Sequence, residues 1–242
     1  MTEAFISTSY ADSTLRTTDP DLLIIDTRPK DLFDQLHIEG AINLSALEVK
    51  SKFSLKNERL LLVGQPFQKA ALDKTCGDLK RLGFKRVKAF YGGLPRWKAD
   101  GGVLKGDISA LGQMVFITPK DLIHEIAHYN WIVVDVVGSN DPLILDMPAN
   151  PIVTVQGVNN PSQLAQSILA RISVLGDSAV AILTLKAFET LAIKTVSRLK
   201  EKLKTTEIFL VEGGREALNS FLAENQKMLS QLKQNKRTLQ CR

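Results

Sequence analysis

The chain has 242 residues, 44% of them apolar and 24% charged, with two cysteines and a formal net charge of +5. That length holds one large domain or two of about 100 to 130 residues. Two thiols exclude a disulfide framework or a thiolate metal cluster within one chain, and no run approaches the ~18 apolar residues of a spanning helix.

The first residues, MTEAFISTSYADSTLR, have neither a basic nor an apolar stretch of the kind a secretory signal needs. DLLIIDTR is an apolar run ending on a carboxylate, as a buried parallel strand does. PKDLFDQLHIEG predicts a short helical turn and AINLSA another short strand. LLLVG, Leu60 to Gly64, predicts a central strand. From Ala70 to Leu82, the residues Leu72, Cys76, Leu79 and Leu82 recur at three- and four-residue steps, a helix with one apolar stripe. Gly83 is placed to end it. VKAF predicts a strand stopping at Gly92 and Gly93, and LPRWKADGG a last short helix. Strands alternating with helices give an α/β fold with a mostly parallel sheet flanked by helices.

From Gly102 to Met114 the pattern dissolves, which marks a linker. The order of elements then repeats. Thr118 is placed to cap a helix with Pro119 at its first position and Asp121 three residues on. DLIHEIAHYN predicts a helix, WIVVDVV a strand, SQLAQSILARI a helix, SAVAILTL a strand, FETLAIKTVSRLKEKL a helix, EIFLV a strand and EGGREALNSFL a final helix. The halves share strand, helix, strand, Gly-Gly, helix in that order. The expected divisions are a domain over 1–108, a linker over 109–116, a second domain over 117–224 and a basic helical tail over 225–242.

The loop after LLLVG, GQPFQKAALDK, supplies no cysteine, serine, histidine or acid before Asp73. A strand, tight loop and helix in succession aim backbone N–H groups at one point, where an anion or a nucleophile is expected. Gly64, Gln65, Phe67, Gln68 and Lys69 are therefore the candidate anion loop, although Pro66 contributes no N–H.

Two motifs in the first half resemble the rhodanese family of sulfurtransferases. IIDTRPKDLFDQLHIEGAINLSA is similar to the family's opening signature through Asp26, Arg28, His37, Ile38, Gly40, Ala41 and Asn43. GDLKRLGFKRVKAFYGGLPRWKADGG resembles its closing segment through Gly83, Phe84, Gly92, Gly93, Trp97 and Gly101. The resemblance covers roughly residues 20–102 and implies two tandem rhodanese-like domains, the second divergent. There Asp135, Gly213 and Gly214 are kept, but Val137 stands for Arg28 and Leu218 for Trp97, and the His-Ile-Glu-Gly-Ala part is gone. In the resembled family a loop cysteine becomes a persulfide held by backbone N–H groups. Neither Gly64 nor Pro66, the two ways of aligning that position, supplies a sulfur. Thr184 to Ala187, the equivalent point of the second half, supplies none either, and Thr184 and Thr190 have no histidine nearby to activate them.

The remaining residues with chemistry have structural readings. Cys76 falls on the apolar stripe with Leu72 and Leu79 and reads as a core thiol. Asp26 and Arg28 read as an ion pair ordering a strand end, and His37 as a partner for backbone. Gly92-Gly93 and Gly213-Gly214 read as tight strand-to-helix turns rather than phosphate loops. HEIAH, His124 to His128, matches a zinc-peptidase pattern but is followed by no further histidine, so no metal and no cofactor is expected. Cys241 is the one thiol placed to carry sulfur on a mobile terminus.

The charge sits at one end. Lys227, Lys233, Lys236, Arg237 and Arg242 follow Glu224 with no acid among them, so residues 1–226 sum to zero. In the same tail Leu218, Leu222, Asn225, Leu229, Leu232, Lys236 and Leu239 alternate four- and three-residue steps, the seam of a coiled coil. The chain is thus expected to be a non-catalytic, cytoplasmic binding, scaffolding or regulatory protein with a protein partner and homodimerisation through the tail. Neither a membrane span nor nucleic acid is expected, since the basic segment lacks aromatics for stacking. The alternative is a divergent sulfurtransferase or sulfur carrier using Cys241.

Overall fold

Each apolar run closes a parallel ladder in the structure, a computed structural model that describes residues 21–126, 131–136, 152–155, 161–172, 179–184, 189–202 and 207–239. The chain divides into two units, 1–114 and 115–242.

In the first unit β1 (Leu22–Asp26), β3 (Ile42–Asn43), β4 (Arg59–Val63) and β5 (Arg86–Phe90) form a sheet in the order β3-β1-β4-β5, with every pair parallel. Leu60, Leu61, Leu62 and Val63 are all buried because both faces of β4 are covered. Leu61 and Val63 pack with Ile24, Phe90, Leu94 and Trp97 on one side. Leu60 and Leu62 pack with Ile25, Leu72, Cys76, Leu79 and Phe84 on the other.

The helices are α1 (Lys30–Gln35), α2 (Ala46–Ser51), α3 (Lys69–Arg81) and α4 (Gly93–Ala99). Leu72, Cys76 and Leu79 of α3 face the sheet, whereas Leu82, expected on the same stripe, is the exposed residue that caps the helix, and that end is fixed chemically. The Gly83 N–H donates to the Lys80 carbonyl and the Phe84 N–H to the Leu79 carbonyl, both at 3.0 Å. This is a Schellman stop, with Gly83 at φ 91°.

Two segments differ from expectation. The AINLSA stretch gives only a two-residue strand before Ser45 caps α2, its hydroxyl accepting from the Glu48 N–H while the Glu48 carboxylate accepts from the Ser45 N–H. Nor is Gly102–Met114 a featureless linker. β6 (Leu104–Gly106) pairs antiparallel with β2 (Leu36–Ile38), and a 3-10 stretch over Ile108–Val115 brings Ala110, Leu111 and Met114 to the first unit's core. A three-residue strand is too short to show a period; its partner across the ribbon defines it.

In the second unit β7 (Phe116–Ile117), β8 (Trp131–Val136), β9 (Ile152–Val155), β10 (Ala179–Thr184) and β11 (Ile208–Val211) form a parallel sheet in the order β7-β11-β10-β8-β9. Taken from β9, the run β9-β8-β10-β11 repeats the connectivity of β3-β1-β4-β5, with β7 added beyond β11. The helices are α5 (Pro119–Ile126), α6 (Pro161–Ile172), α7 (Glu189–Lys202) and α8 (Gly214–Leu239). Thr118 caps α5, its hydroxyl accepting from the Asp121 N–H at 3.1 Å. Ile132, Val134, Ile182, Ile208 and Leu210 meet Ala165, Val196 and Leu199 in one core. No helix among the described residues is long and apolar enough to cross a membrane.

Candidate functional site

In a parallel sheet the loops at the strands' carboxyl ends gather on one edge, and in the first unit that edge holds the turn from β4 to α3. Three of its backbone donors are engaged within the loop. The Gln65 N–H donates to the Gln68 side-chain oxygen at 3.0 Å. The Gln68 N–H donates to the Gln65 carbonyl at 3.0 Å, and the Lys69 N–H to the Phe67 carbonyl at 2.9 Å. Pro66 has no N–H. An amide oxygen is an anion's nearest neutral equivalent as an acceptor, so Gln68 fills from within the direction in which Gln65 would bind an anion. Of the candidate loop residues, Gln68 is the one whose side-chain oxygen accepts from within the loop.

Packing closes the turn further. A Cβ on Gly64 would lie 3.0 Å from the Gln68 Oε1 and 3.4 Å from a Leu72 methyl. A Cβ on Gly93, at φ 55°, would lie 2.9 Å from the Gly64 carbonyl oxygen and 3.0 Å from the Pro66 nitrogen. The Gly92-Gly93 turn thus lets α4 press directly on the loop backbone, with φ 83° and 55° at the two glycines. Lys69 reaches sideways, its Nζ 5.2 Å from the centre of the Tyr91 ring, and the Tyr91 hydroxyl donates to the Asp73 carboxylate.

Asp26 and Arg28 form a closed unit at the end of β1. Arg28 Nε donates to Asp26 Oδ1 at 3.0 Å, Nη2 donates to Oδ2 at 2.7 Å, and the same Nη2 donates to the Leu36 carbonyl at 2.6 Å. Both side chains are wholly buried, so the pair ties β1 to β2. Asn43 adds to it, donating to the Asp26 carbonyl at 3.0 Å and the Arg28 carbonyl at 2.8 Å. His37 Nδ1 lies 2.7 Å from the Phe33 carbonyl, and its ring stacks on Phe33 at 4.1 Å. Trp97 meets Phe90 edge-on at 5.4 Å. It also dictates Gly102, where a Cβ would sit 2.1 Å from the indole nitrogen.

Cys76 is buried on α3. Burial first, then the nearby Asp73 charge, pushes its thiol up from 9.0 to about 11, with Lys80 opposing. A thiol so shifted is almost entirely protonated near neutral pH and is a poor nucleophile.

The second unit keeps the buried acid but neutralises it differently. Asp135, at the end of β8, meets Arg215 of α8 at 3.5 Å, and both are buried. Arg215 directly follows Gly213 and Gly214, where the first unit has the apolar Leu94 after Gly92 and Gly93. Burial pushes the Asp135 carboxyl up, and Arg215 opposes that shift. The arginine has in effect moved from the strand end to the facing helix. Sequence reading missed it, although a charge beside Gly-Gly together with Val137 in place of arginine was the available signal. Leu218 is fully buried.

On α5, Glu125 is buried and His124 exposed, so these two members of the HEIAH pattern occupy opposite environments. No group of three metal-ligating side chains occurs among the described residues. His128, Val137, Ala187 and Cys241 lie outside the described residues, as do the side chains of Thr184 and Thr190.

Residues 8–100 match the model of the family described as the rhodanese-like domain. No curated protein sequence matches the chain. Among solved structures, the Alr3790 protein from Anabaena sp. is 24% identical, covering 48% of this chain and 88% of its own with a TM-score of 0.36. The rhodanese-like domain of the same protein, solved in solution, is 26% identical, covering 41% and 76% with a TM-score of 0.36. A thiosulfate sulfurtransferase from Pseudomonas aeruginosa is 19% identical, covering 78% and 37% with a TM-score of 0.31.

Proposed function

We propose that this chain, which carries a rhodanese-like domain over residues 8–100, uses that domain as a non-catalytic binding or scaffolding module rather than as a sulfurtransferase. The β4–α3 turn carries the reading: it offers no thiol between Gly64 and Lys69, and its Gln65, Gln68 and Lys69 N–H groups donate to acceptors of the loop itself. Covalent sulfur transfer needs a nucleophile whose thiolate is stabilised at the point of attack. Cys76 does not meet that need, because burial holds its proton on.

What remains of the domain is a well-supported surface. The Asp26–Arg28 pair, the Gly92-Gly93 turn and the packed Trp97 hold the loop edge in one shape, and a fixed shape is what recognition of a protein partner uses. The connectivity repeated in β9-β8-β10-β11 supports reading the second unit as a divergent copy of the first.

The competing reading is sulfur carriage by Cys241. Incubating the full chain with thiosulfate alone and weighing the C-terminal peptide for a persulfide increment, and in parallel with thiosulfate and cyanide and measuring thiocyanate, separates the two. The module reading expects neither thiocyanate nor an increment. Turnover that Cys241→Ser abolishes would establish the carrier instead.

A further inference from the structure

The neutral sum over residues 1–226 hides a local segregation of charge. KRLGFKRVK, Lys80 to Lys88, holds five cations and no acid, and KSKFSLKNER, Lys50 to Arg59, holds four cations with Glu58 alone against them. Far apart in sequence, the two segments are laid side by side at the amino ends of β4 and β5. The Lys85 N–H donates to the Lys56 carbonyl at 3.1 Å, the Arg86 guanidinium donates to the Asn57 carbonyl, and Arg59 stands in register with Arg86. Asp78, the nearest acid on α3, is already held by Lys50 at 2.6 Å and by Arg81. Two apolar side chains project among these cations, Phe53 at 64% exposed and Leu82 at 42%. Lys56 joins them: its Nζ lies 4.7 Å from the centre of the Phe53 ring and 3.7 Å from where a Cβ on Gly83 would stand.

Charge and exposure together select the occupant. The partner must be anionic over an extended area and must also accept apolar side chains. A single-stranded nucleic acid stacks its bases on successive aromatic rings, but Phe53 is the one exposed aromatic side chain of the two segments, since Phe84 is buried. A protein interface selects against lysine, and lysines outnumber arginines in both segments. An anionic bilayer takes both features at once: cations meet its headgroups while a few apolar side chains enter the boundary below them, the pairing of two weak signals that holds a protein at a lipid surface.

We propose that the amino-end edge of the first unit's sheet, around Phe53, Lys56, Leu82 and Lys85, docks on a bilayer surface rich in anionic phospholipid headgroups. Phe53 and Leu82 enter the headgroup boundary, and Lys52, Lys80 and Lys85, all exposed, meet the lipid phosphates and carboxylates. The β4–α3 turn lies at the other end of the same strands, so docking leaves it facing away from the bilayer and stands whether or not the chain transfers sulfur.

The test sediments the full chain with vesicles of phosphatidylcholine alone and of phosphatidylcholine mixed with phosphatidylserine. The expected result is binding to the mixed vesicles only, weakening with added salt. Combined Lys52→Glu, Lys80→Glu and Lys85→Glu substitutions, at exposed positions that leave the first unit's core untouched, should weaken it by about tenfold or more. Phe53→Ser with Leu82→Ser should also weaken it, with the salt dependence retained. Reversing charge in the basic tail, Lys233→Glu with Lys236→Glu, should leave most of the binding in place. Equal binding to both vesicles, binding to neither, or binding that the tail reversal removes and the first-unit substitutions do not, overturns the proposal. So does capture of single-stranded polyuridylate without binding to the mixed vesicles.

Discussion

Arg28 shows how much one side chain holds in place. Its guanidinium neutralises the wholly buried Asp26 and also donates to the Leu36 carbonyl, so its removal strands a carboxylate in the core and frees β2. Arg28→Ala should lower stability by about 3–5 kcal/mol in urea unfolding of the first unit. The double change Asp26→Leu with Arg28→Met should restore most of that loss, because the cost lies in the uncompensated charge. At Cys76 the sign is set by the raised pKa. The folded thiol keeps its proton over a range in which the unfolded thiol gives it up, so its contribution is intact below pH 9.0 and lost as pH climbs towards 11. Stability measured from pH 8 to 11 should therefore fall less steeply in Cys76→Ala than in the parent chain. The placement of Cys76 was legible from its spacing with Leu72 and Leu79. The Asp135–Arg215 contact was not, because it joins a strand to a helix eighty residues on, and spacing along the chain says nothing about such pairs.

The elements that sequence made plain are those with a period long enough to count. α3 and its Gly83 stop, the buried runs of β1, β4, β8 and β11, and the cap at Thr118 all follow from local chemistry. β2 and β6 escaped because three residues show no period, and α2 escaped although Ser45 and Glu48 spell a capping box. That the loop between β4 and α3 holds no thiol is plain from residue order, but its internal closure depends on the rotamer of Gln68, which residue order does not encode. Its dynamics offer a check: Gln68→Ala should accelerate hydrogen exchange at the Gln65 amide while α3 stays protected. Unchanged exchange there would mean that the Gln68 side chain does not close the loop.

At the scale of the molecule, two units repeat one strand connectivity but treat the edge at their strands' carboxyl ends differently. The first balances its buried acid from its own strand end, the second from α8, and in the first's turn after the central strand Gln65, Gln68 and Lys69 donate to acceptors of the loop itself. The alternation of strands and helices in both halves was readable from the order of elements, but β9 was not, since its four residues lie in a Pro- and Asn-rich stretch, and the division between Met114 and Val115 depends on which core Ala110 and Met114 join. The central claim concerns chemistry at the β4–α3 turn, and sulfur transfer from thiosulfate to cyanide by the full chain tests it most directly. Thiocyanate formation should be indistinguishable from the protein-free reaction, in the parent chain and in Cys76→Ala alike. Sustained turnover by the parent chain that Cys76→Ala abolishes would contradict the account.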